Sequence, residues 1–287
     1  MKSLTICVAS WNAKFSLALM LESARHYNPD YDISMVAVEN GSWDGAREYA
    51  ERHSKKLLLG DNSRNHGWCL TECIRRVDTE FTLTLDNDCF FMKPGALDLM
   101  FENLHEKAFC VCPERPSSAA GKGVPYGVAQ TIEWSPNIAC ALFRTEVIQN
   151  ICQHFHFGYF GDLTSERVYE TGGLVWRVGQ VLGLDSVEPP ELWNNYILHE
   201  GALSTLFAMN PTYPDGETEE MRQNGCYVIG AAGYERVKRE LAELRGCSVE
   251  ELDAHEPPSP GMAEVIDLNW TPPLGTHVKL IKGAGVR

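Results

Sequence analysis

Apolar positions follow two patterns along the first part of the chain. Short apolar runs without internal alternation are typical of strands buried on both faces of a parallel sheet. Between these runs, apolar residues recur at the spacing of an amphipathic helix. The predicted strands are 4–9, 33–38, 56–59 and 81–85, and the predicted helices are 13–27, 44–53 and 68–77. Strands and helices that alternate at this interval predict an α/β fold, a Rossmann-like, mostly parallel sheet flanked by helices.

The pattern is less regular in the rest of the chain. Helices are predicted over 94–105, 145–155 and 165–181, and strands up to 112, over 138–143 and over 195–198, with a loop over 113–125. The composition changes near residue 210, and an amphipathic helix with Val237, Leu241 and Leu244 on one stripe follows. Ser248 and Glu251 have the spacing of a helix start signal. We therefore expect a main domain over 1–210 and a C-terminal helical extension over 211–287.

Composition narrows the classes of function. The 287 residues include 39 Asp and Glu against 25 Lys and Arg, which gives a formal net charge of −14. A field of that sign repels phosphate backbones and anionic membrane surfaces, so we expect no stable nucleic-acid binding unless a local basic patch opposes the overall charge. No apolar run approaches the roughly 18 residues of a membrane span, and the start lacks a signal-peptide pattern. We expect no integral membrane segment, a cytoplasmic location, and reduced, buried thiols for the ten cysteines.

Polar clusters follow the predicted strands, where ligands bind in open α/β sheets. The clusters are Ser10 with Asn12, residues 39–44, residues 62–65, and Asp86 with Asp88. Two carboxylates spaced by one residue let one hold a divalent cation while the other reaches a group such as a ribose hydroxyl. Acidic turns after strands are also common as merely solvated features. A calcium loop is excluded because Phe90 and Phe91 stand where it needs an oxygen ligand and Gly.

Four motifs, each after its own predicted strand, resemble those of family 2 glycosyltransferases with the A-type fold. They are Ser10-Trp11-Asn12, Glu39-Asn40-Gly41-Ser42-Trp43-Asp44-Gly45, Asn65-His66-Gly67 and Leu85-Asp86-Asn87-Asp88. The resemblance covers about the first 100 residues well, although Glu39-Asn40 stands where the family usually has two aspartates. The segments Asn137–Arg144 and His199–Ser204 resemble the second half of the family more loosely. The resemblance implies a nucleotide-sugar-binding half over 1–110 and an acceptor-binding half over 111–210, with Arg144 near the acceptor.

The resemblance also implies a set of site residues. Donor-binding residues would be Ala9, Ser10, Asn12, Glu39, Asn40, Asn65, Gly67, Asp86 and Asn87. A leaving diphosphate needs a divalent cation to neutralise its growing charge, and Mn²⁺ or Mg²⁺ would be held by Asp88 and His199. A hydrogen-bonded surface histidine is the alternative for His199.

Inversion at the anomeric carbon, which the family implies, needs one general base for the acceptor hydroxyl. The candidates are Glu170, Asp162 and Glu166. Glu170 is favoured because Gly172 and Gly173 leave room for an acceptor. A structural role at a helix terminus stays open for each of them.

The sequence therefore predicts a metal-dependent, inverting glycosyltransferase whose donor is a nucleotide diphosphate sugar, with uridine diphosphate as the expected nucleotide. The acceptor is unknown, and a glycan or small molecule is favoured over a nucleic acid. Two other classes stay open. One is a nucleotidyltransferase that forms sugar nucleotides, which lacks support because no Gly-rich signature with Arg and Lys follows the first strand. The other is a non-catalytic module that binds nucleotide sugars or glycans.

Overall fold

The computed structural model describes residues 1–60, 66–114, 131–133, 136–155, 167–169, 173–193, 195–199 and 226–268. The strands are β1 (Lys2–Ser10), β2 (Tyr31–Glu39), β3 (Lys56–Leu59), β4 (Phe81–Leu85), β5 (Cys89–Phe91), β6 (Ala108–Val111), β7 (Thr131–Glu133), β8 (Cys140–Arg144), β9 (Arg167–Tyr169), β10 (Asp185–Val187), β11 (Ile197–His199) and β12 (Glu264–Asp267). The helices are α1 (Lys14–Tyr27), α2 (Ala46–His53), α3 (His66–Ile74), α4 (Ala96–Asn103), α5 (Thr145–Cys152), α6 (Gly173–Val181) and α7 (Cys226–Arg245), with a 3₁₀ turn over Val249–Glu251.

Eight strands form the central sheet in the order β10-β6-β8-β4-β1-β2-β3-β12. Strand β8 runs antiparallel to both neighbours, and the other pairs are parallel. Two small sheets lie apart from it, an antiparallel pair of β5 with β11 and a parallel pair of β7 with β9. The predicted mostly parallel sheet flanked by helices is thereby confirmed.

Burial explains why the first four strands follow the apolar pattern so closely. Every residue of β4 is buried, as expected for a central strand covered on both faces. Helix α1 packs against the sheet through the predicted stripe, and Leu17, Leu21 and Ala24 are fully buried. The described cysteine side chains are all free thiols, and all but Cys247 are buried. The described part of the chain contains no helix long and apolar enough to cross a membrane.

The helix predicted over 165–181 is wrong at residues 167–169. These residues form β9, and the part of the prediction that the structure describes as helix is α6. Val168 and Tyr169 favour extended backbone. Strand β9 pairs with β7, which lies much earlier in the chain. A pairing of that kind leaves no trace in local periodicity. Most of the loop predicted over 113–125 lies outside the described residues.

The C-terminal segment returns to the first half of the molecule. Helix α7 packs on α1, where the Arg245 guanidinium lies 2.6 Å from a Glu22 carboxylate oxygen in a largely buried ion pair. The predicted start signal is confirmed, because Ser248 and Glu251 form a capping box at the 3₁₀ turn. Strand β12 then adds to the edge of the central sheet in parallel register with β3. The division of the chain near residue 210 stays a prediction.

Candidate active site

The carboxyl ends of β1, β2 and β4 lie side by side at one edge of the sheet. Ser10 and Glu39, the last residues of β1 and β2, are paired in register, and β4 lies on the other side of β1. The turn that carries Asp86 and Asp88 follows β4 directly. Parallel pairing therefore brings three of the polar clusters to one place, where open α/β sheets bind their ligands.

A tight turn after β4 sets the positions of the two aspartates. The Asp86 backbone N–H donates to the Ala139 carbonyl at 2.8 Å, and the Asp86 carbonyl accepts from the Cys89 N–H at 3.0 Å. Asn87 and Asp88 lie inside this turn and are both buried. The turn leads into β5, which pairs with β11, the strand that ends at His199.

Each aspartate faces its own histidine. The Nε2 atom of His66, at the start of α3, lies 3.1 Å from Asp86 Oδ1. The Nε2 atom of His199 lies 3.0 Å from Asp88 Oδ1. The four side chains thus form two neighbouring carboxylate–imidazole pairs at the end of β4.

In the pair of His66 and Asp86, the attraction between opposite charges changes the two pKa values more than burial does. Burial by itself favours the neutral acid at Asp86, but the nearby His66 imidazole holds the pKa of that carboxyl below its ordinary value. Burial likewise favours neutral His66, and the charge of Asp86 nevertheless raises the pKa of the imidazole. The pair is therefore stabilised in its ionised form.

The second pair has the donor atoms of a divalent-cation site. Potential ligand atoms of Asp88, Cys89 and His199 all lie within 4.8 Å of one another. A carboxylate oxygen and an imidazole nitrogen suit Mn²⁺, whereas a neutral thiol is a poor ligand for a hard cation. Burial, together with the nearby charges of Asp88 and Asp86, raises the pKa of the Cys89 thiol well above its ordinary value. Asp88 and His199 therefore fit Mn²⁺ or Mg²⁺, and Cys89 does not add to that fit.

Glu39 holds the loop after β2. Its carboxylate oxygens accept from the backbone N–H groups of Gly41 at 3.1 Å and Ser42 at 2.7 Å, and the residue is 1% exposed. Gly41 has a φ of +81°, in the left-handed region that glycine adopts without strain. The carboxylate found where the family usually has two aspartates thus orders the turn that follows it.

Asn12 joins the loop after β1 to the loop after β2. Its Oδ1 accepts from the Trp43 N–H at 3.0 Å, and its own N–H donates to Ser42 Oγ at 2.8 Å. Its φ of +47° is unusual for a residue other than glycine. The Asn12 Nδ2 and Ser10 Oγ atoms are buried without a hydrogen-bond partner among the described residues. Such atoms are costly in a folded protein, so this edge of the sheet has polar groups to offer a ligand.

Asn40 completes the packing of these loops. Its N–H donates to the Ser10 carbonyl at 3.0 Å, and its side chain contacts the Cys69 sulfur. A Cβ atom at Gly60 would overlap Asn40 Oδ1. The close approach of the segments that follow β2 and β3 therefore requires glycine at position 60.

The structure brings most of the predicted site residues to one edge of the sheet. These are Ala9, Ser10, Asn12, Glu39, Asn40, Gly67, Asp86, Asn87, Asp88 and His199. Asn65, Asp162, Glu166 and Glu170 lie outside the described residues. Arg144 pairs in register with Phe81, the first residue of β4, and therefore lies at the opposite edge from Asp86. Its guanidinium donates to the Leu104 and His105 carbonyls, and the expectation that it lies near the acceptor stays a prediction.

Sequence reasoning missed two members of the site. His66 was part of a motif but had no role, and Cys89 had none although it directly follows Asp88. The ion pair of His66 with Asp86 depends on how α3 packs on β1 and β2, which brings its first residue to the turn after β4. The place of Cys89 depends on its pairing with His199.

Residues 5–163 match the family model described as glycosyl transferase family 2. The chain belongs to glycosyl transferase family 2. Together with the sheet described above, this membership makes the chain a glycosyltransferase of the A-type fold. Family members transfer sugars from nucleotide-sugar donors, and the described site has donor atoms for a divalent cation. A search of curated protein sequences finds no significant match.

Several solved structures are similar at low identity. A mannosyltransferase from Pyrobaculum calidifontis in complex with GDP-Man and Mn²⁺ is 15% identical, with 88% of this chain and 78% of that chain covered and a TM-score of 0.48. S. aureus TarS 1-349 in complex with UDP-GlcNAc is 13% identical, with 89% and 88% covered and a TM-score of 0.43. The galactosyltransferase LgtC with donor and acceptor sugar analogs is 12% identical, with 52% and 59% covered and a TM-score of 0.37. Likenesses of this size do not identify a donor or an acceptor.

Proposed function

We propose that this family 2 glycosyltransferase depends on a divalent cation, inverts the anomeric carbon, and uses a uridine diphosphate sugar to glycosylate an acceptor hydroxyl. One observation carries the proposal. Asp86 and Asp88 follow the central strand β4, each within 3.1 Å of a histidine nitrogen, beside the loops that follow β1 and β2. This arrangement suits sugar transfer from a nucleoside diphosphate, because a cation can neutralise the leaving diphosphate and nucleotides bind at the carboxyl ends of the strands.

The loops after β1 and β2 would bind the nucleotide. Backbone groups of Ala9 and Ser10 would line the nucleotide, and Asn12 keeps an unpaired, buried amide nitrogen nearby. Glu39 already accepts two backbone N–H groups, but each carboxylate oxygen retains a lone pair for a ribose or base donor. Asn40, Asn65, Gly67 and Asn87 complete the proposed donor-binding set.

Asp88 and His199 would hold Mn²⁺ or Mg²⁺. The cation would supply positive charge that stabilises the diphosphate as the glycosidic bond breaks. Asp86, paired with His66 and held in its ionised form, would face a hydroxyl of the ribose or the sugar. The two aspartates thus take different roles because they face different groups.

Glu170 is the proposed general base, with Asp162 as the next candidate. Glu170→Gln should abolish sugar transfer, because an amide cannot take the proton of the acceptor hydroxyl. Binding of uridine diphosphate and Mn²⁺ should stay close to that of the unaltered protein, and calorimetry measures both. Asp162→Asn is the matched comparison. Unchanged turnover in Glu170→Gln together with lost turnover in Asp162→Asn would move the role to Asp162.

A donor screen tests the proposal as a whole. The purified chain is incubated with Mn²⁺ and a panel of uridine, guanosine and other nucleotide sugars, and release of the nucleoside diphosphate is measured. We expect hydrolysis of a uridine diphosphate sugar, faster than with a chelator present. Binding of uridine diphosphate without any hydrolysis or transfer would favour a non-catalytic module. Release of pyrophosphate from a nucleoside triphosphate and a sugar phosphate would favour a nucleotidyltransferase.

A further inference from the structure

Cys89 lies beside the two proposed metal ligands, and the proposed reaction does not use it. It is the first residue of β5 and pairs directly with His199 of β11 in antiparallel register. Directly opposed residues of an antiparallel pair place their side chains on the same face. The Cys89 sulfur is fully buried and borders the hydrophobic core, so it lies beneath the site rather than at its entrance.

The turn before β5 brings Asp88 to the same place. Strand alternation alone would direct Asp88 and Cys89 to opposite faces. Asp88 instead lies within the turn closed by the Cys89 N–H and the Asp86 carbonyl. Its carboxylate therefore reaches 3.0 Å from His199 Nε2, and the ligand atoms of all three residues lie within 4.8 Å of one another.

One oxygen, one nitrogen and one sulfur ligand suit a different cation from Mn²⁺ or Mg²⁺. Mg²⁺ and Mn²⁺ prefer oxygen ligands, whereas thiolate sulfur selects Zn²⁺ and similar soft cations. Three protein ligands with a fourth position open are a common arrangement for Zn²⁺ in proteins. Zn²⁺ also binds mixed nitrogen, oxygen and sulfur sites more tightly than Mn²⁺ in general.

We propose that Asp88, Cys89 and His199 form a site for a thiophilic divalent cation such as Zn²⁺, which displaces Mn²⁺. The inference rests on the proposed function for Asp88 and His199, and it adds Cys89 as the residue that discriminates between cations. Binding breaks the S–H bond of Cys89, forms a sulfur–metal bond and releases the thiol proton to the buffer. No group is oxidised or reduced.

Cobalt spectroscopy tests the sulfur ligand directly, because Co²⁺ occupies zinc sites and gives a near-ultraviolet charge-transfer band when a thiolate coordinates it. The full chain is titrated with Co²⁺ without oxygen. We expect a saturable thiolate band in the unaltered protein that added Zn²⁺ removes. The band should be absent in Cys89→Ser and retained in Cys140→Ser, a control cysteine that is equally buried on β8.

Competition with Mn²⁺ gives a second readout that does not depend on activity. Bound Mn²⁺ is followed by electron paramagnetic resonance while Zn²⁺ is added. The Zn²⁺ concentration that displaces half of the Mn²⁺ should rise by roughly 10- to 100-fold in Cys89→Ser. Substitution of residues that only hydrogen-bond to metal ligands already lowers metal affinity by about this factor. Mn²⁺ binding itself should stay unchanged in this variant.

The outcomes separate this inference from the proposed function. Co²⁺ binding that Asp88→Asn weakens, without a thiolate band in the unaltered protein, would overturn the role of Cys89 and leave the Mn²⁺ site standing. A thiolate band that persists in Cys89→Ser would also overturn it, since another cysteine would then be the ligand. Failure of the unaltered protein to bind either Mn²⁺ or Co²⁺ would overturn both proposals. Absence of the band in the unaltered protein overturns the role of Cys89 even if Cys89→Ser does not fold.

Discussion

Two aspartates separated by one residue have different surroundings in this protein. The Asp86 side chain is 24% exposed and pairs with a histidine at the start of α3, whereas the Asp88 side chain is 9% exposed and pairs with the last residue of β11. The difference arises because the turn after β4 directs one carboxylate toward α3 and the other toward the small sheet. The two aspartates are thereby placed in different electrostatic surroundings.

The pairing of His66 with Asp86 predicts how the Asp86 carboxyl titrates. Burial alone would raise its pKa above the ordinary value, and His66 is what brings the pKa below it. His66→Leu should therefore raise the pKa of Asp86, which carbon-detected NMR of the labelled carboxyl measures. His105→Leu, an exposed histidine after α4, is the control and should leave that pKa unchanged. An equal pKa in the unaltered protein and His66→Leu would contradict the pairing.

Sequence alone could predict Asp86, Asp88 and His199 because each lies in a local motif. It could not predict the contact between His66 and Asp86 or the place of Cys89. Those contacts depend on packing between elements that are distant in the chain, as the register of His199 with Cys89 illustrates. A one-residue shift of that register would move Cys89 to the other face.

Among the helices and strands, buried elements are predicted more accurately from the sequence than exposed ones. Strands β3 and β4 have the predicted bounds, since both are apolar runs in the interior of the sheet. Strand β12 was not predicted from the sequence because it is an edge strand whose side chains are mostly exposed, so it lacks a buried apolar run. Val265, for example, is 48% exposed. Its position is fixed by backbone pairing with β3 rather than by hydrophobic burial.

The Glu256 carboxylate, in the segment before β12, contacts two side chains of α2. Glu256 accepts from the Arg52 guanidinium through both oxygens, at 2.8 and 2.9 Å, and lies 2.9 Å from Nε2 of the buried His53. Burial favours protonated Glu256, but these partners lower its pKa. Burial lowers the pKa of His53 as well, although Glu256 opposes that effect. This contact therefore depends on pH.

Glu256→Gln should lower the free energy of unfolding at pH 7 by about 2 kcal/mol, because it weakens hydrogen bonds to charged groups. A carboxyl whose pKa is lowered by folding stabilises the protein above its ordinary pKa of about 4.5 and loses that effect as the pH falls. The variant should therefore lose less stability below about pH 5 than the unaltered protein. Urea unfolding at several pH values measures both effects.

Glu264→Gln is the matched control for this prediction, since Glu264 lies on β12 and is exposed. It should change neither the stability at pH 7 nor its pH dependence. Equal stability of Glu256→Gln and Glu264→Gln at pH 7 would show that the carboxylate does not hold the segment in place. His53 adds to the acid sensitivity of the unaltered protein, because a histidine whose pKa is lowered by folding destabilises the fold as the pH falls below about 6.5.

For the whole molecule, charge sets the requirement for a cation. A protein with a formal net charge of −14 repels an anionic diphosphate over most of its surface. Two of its carboxylates, Asp86 and Asp88, lie at the proposed site, and Arg144 lies at the opposite edge of the sheet. The proposed recruitment of the donor through a cation at Asp88 and His199 would resolve this conflict.

Calorimetric binding of uridine diphosphate with and without Mn²⁺ tests this central claim most directly. Asp88→Asn is compared with the unaltered protein and with Asp32→Asn, an exposed control at the amino end of β2. In the unaltered protein and the control, Mn²⁺ should tighten binding by at least about tenfold, which corresponds to about 1.4 kcal/mol. Asp88→Asn should lose that gain. Equal affinity with Mn²⁺ and with a chelator in the unaltered protein would contradict the account.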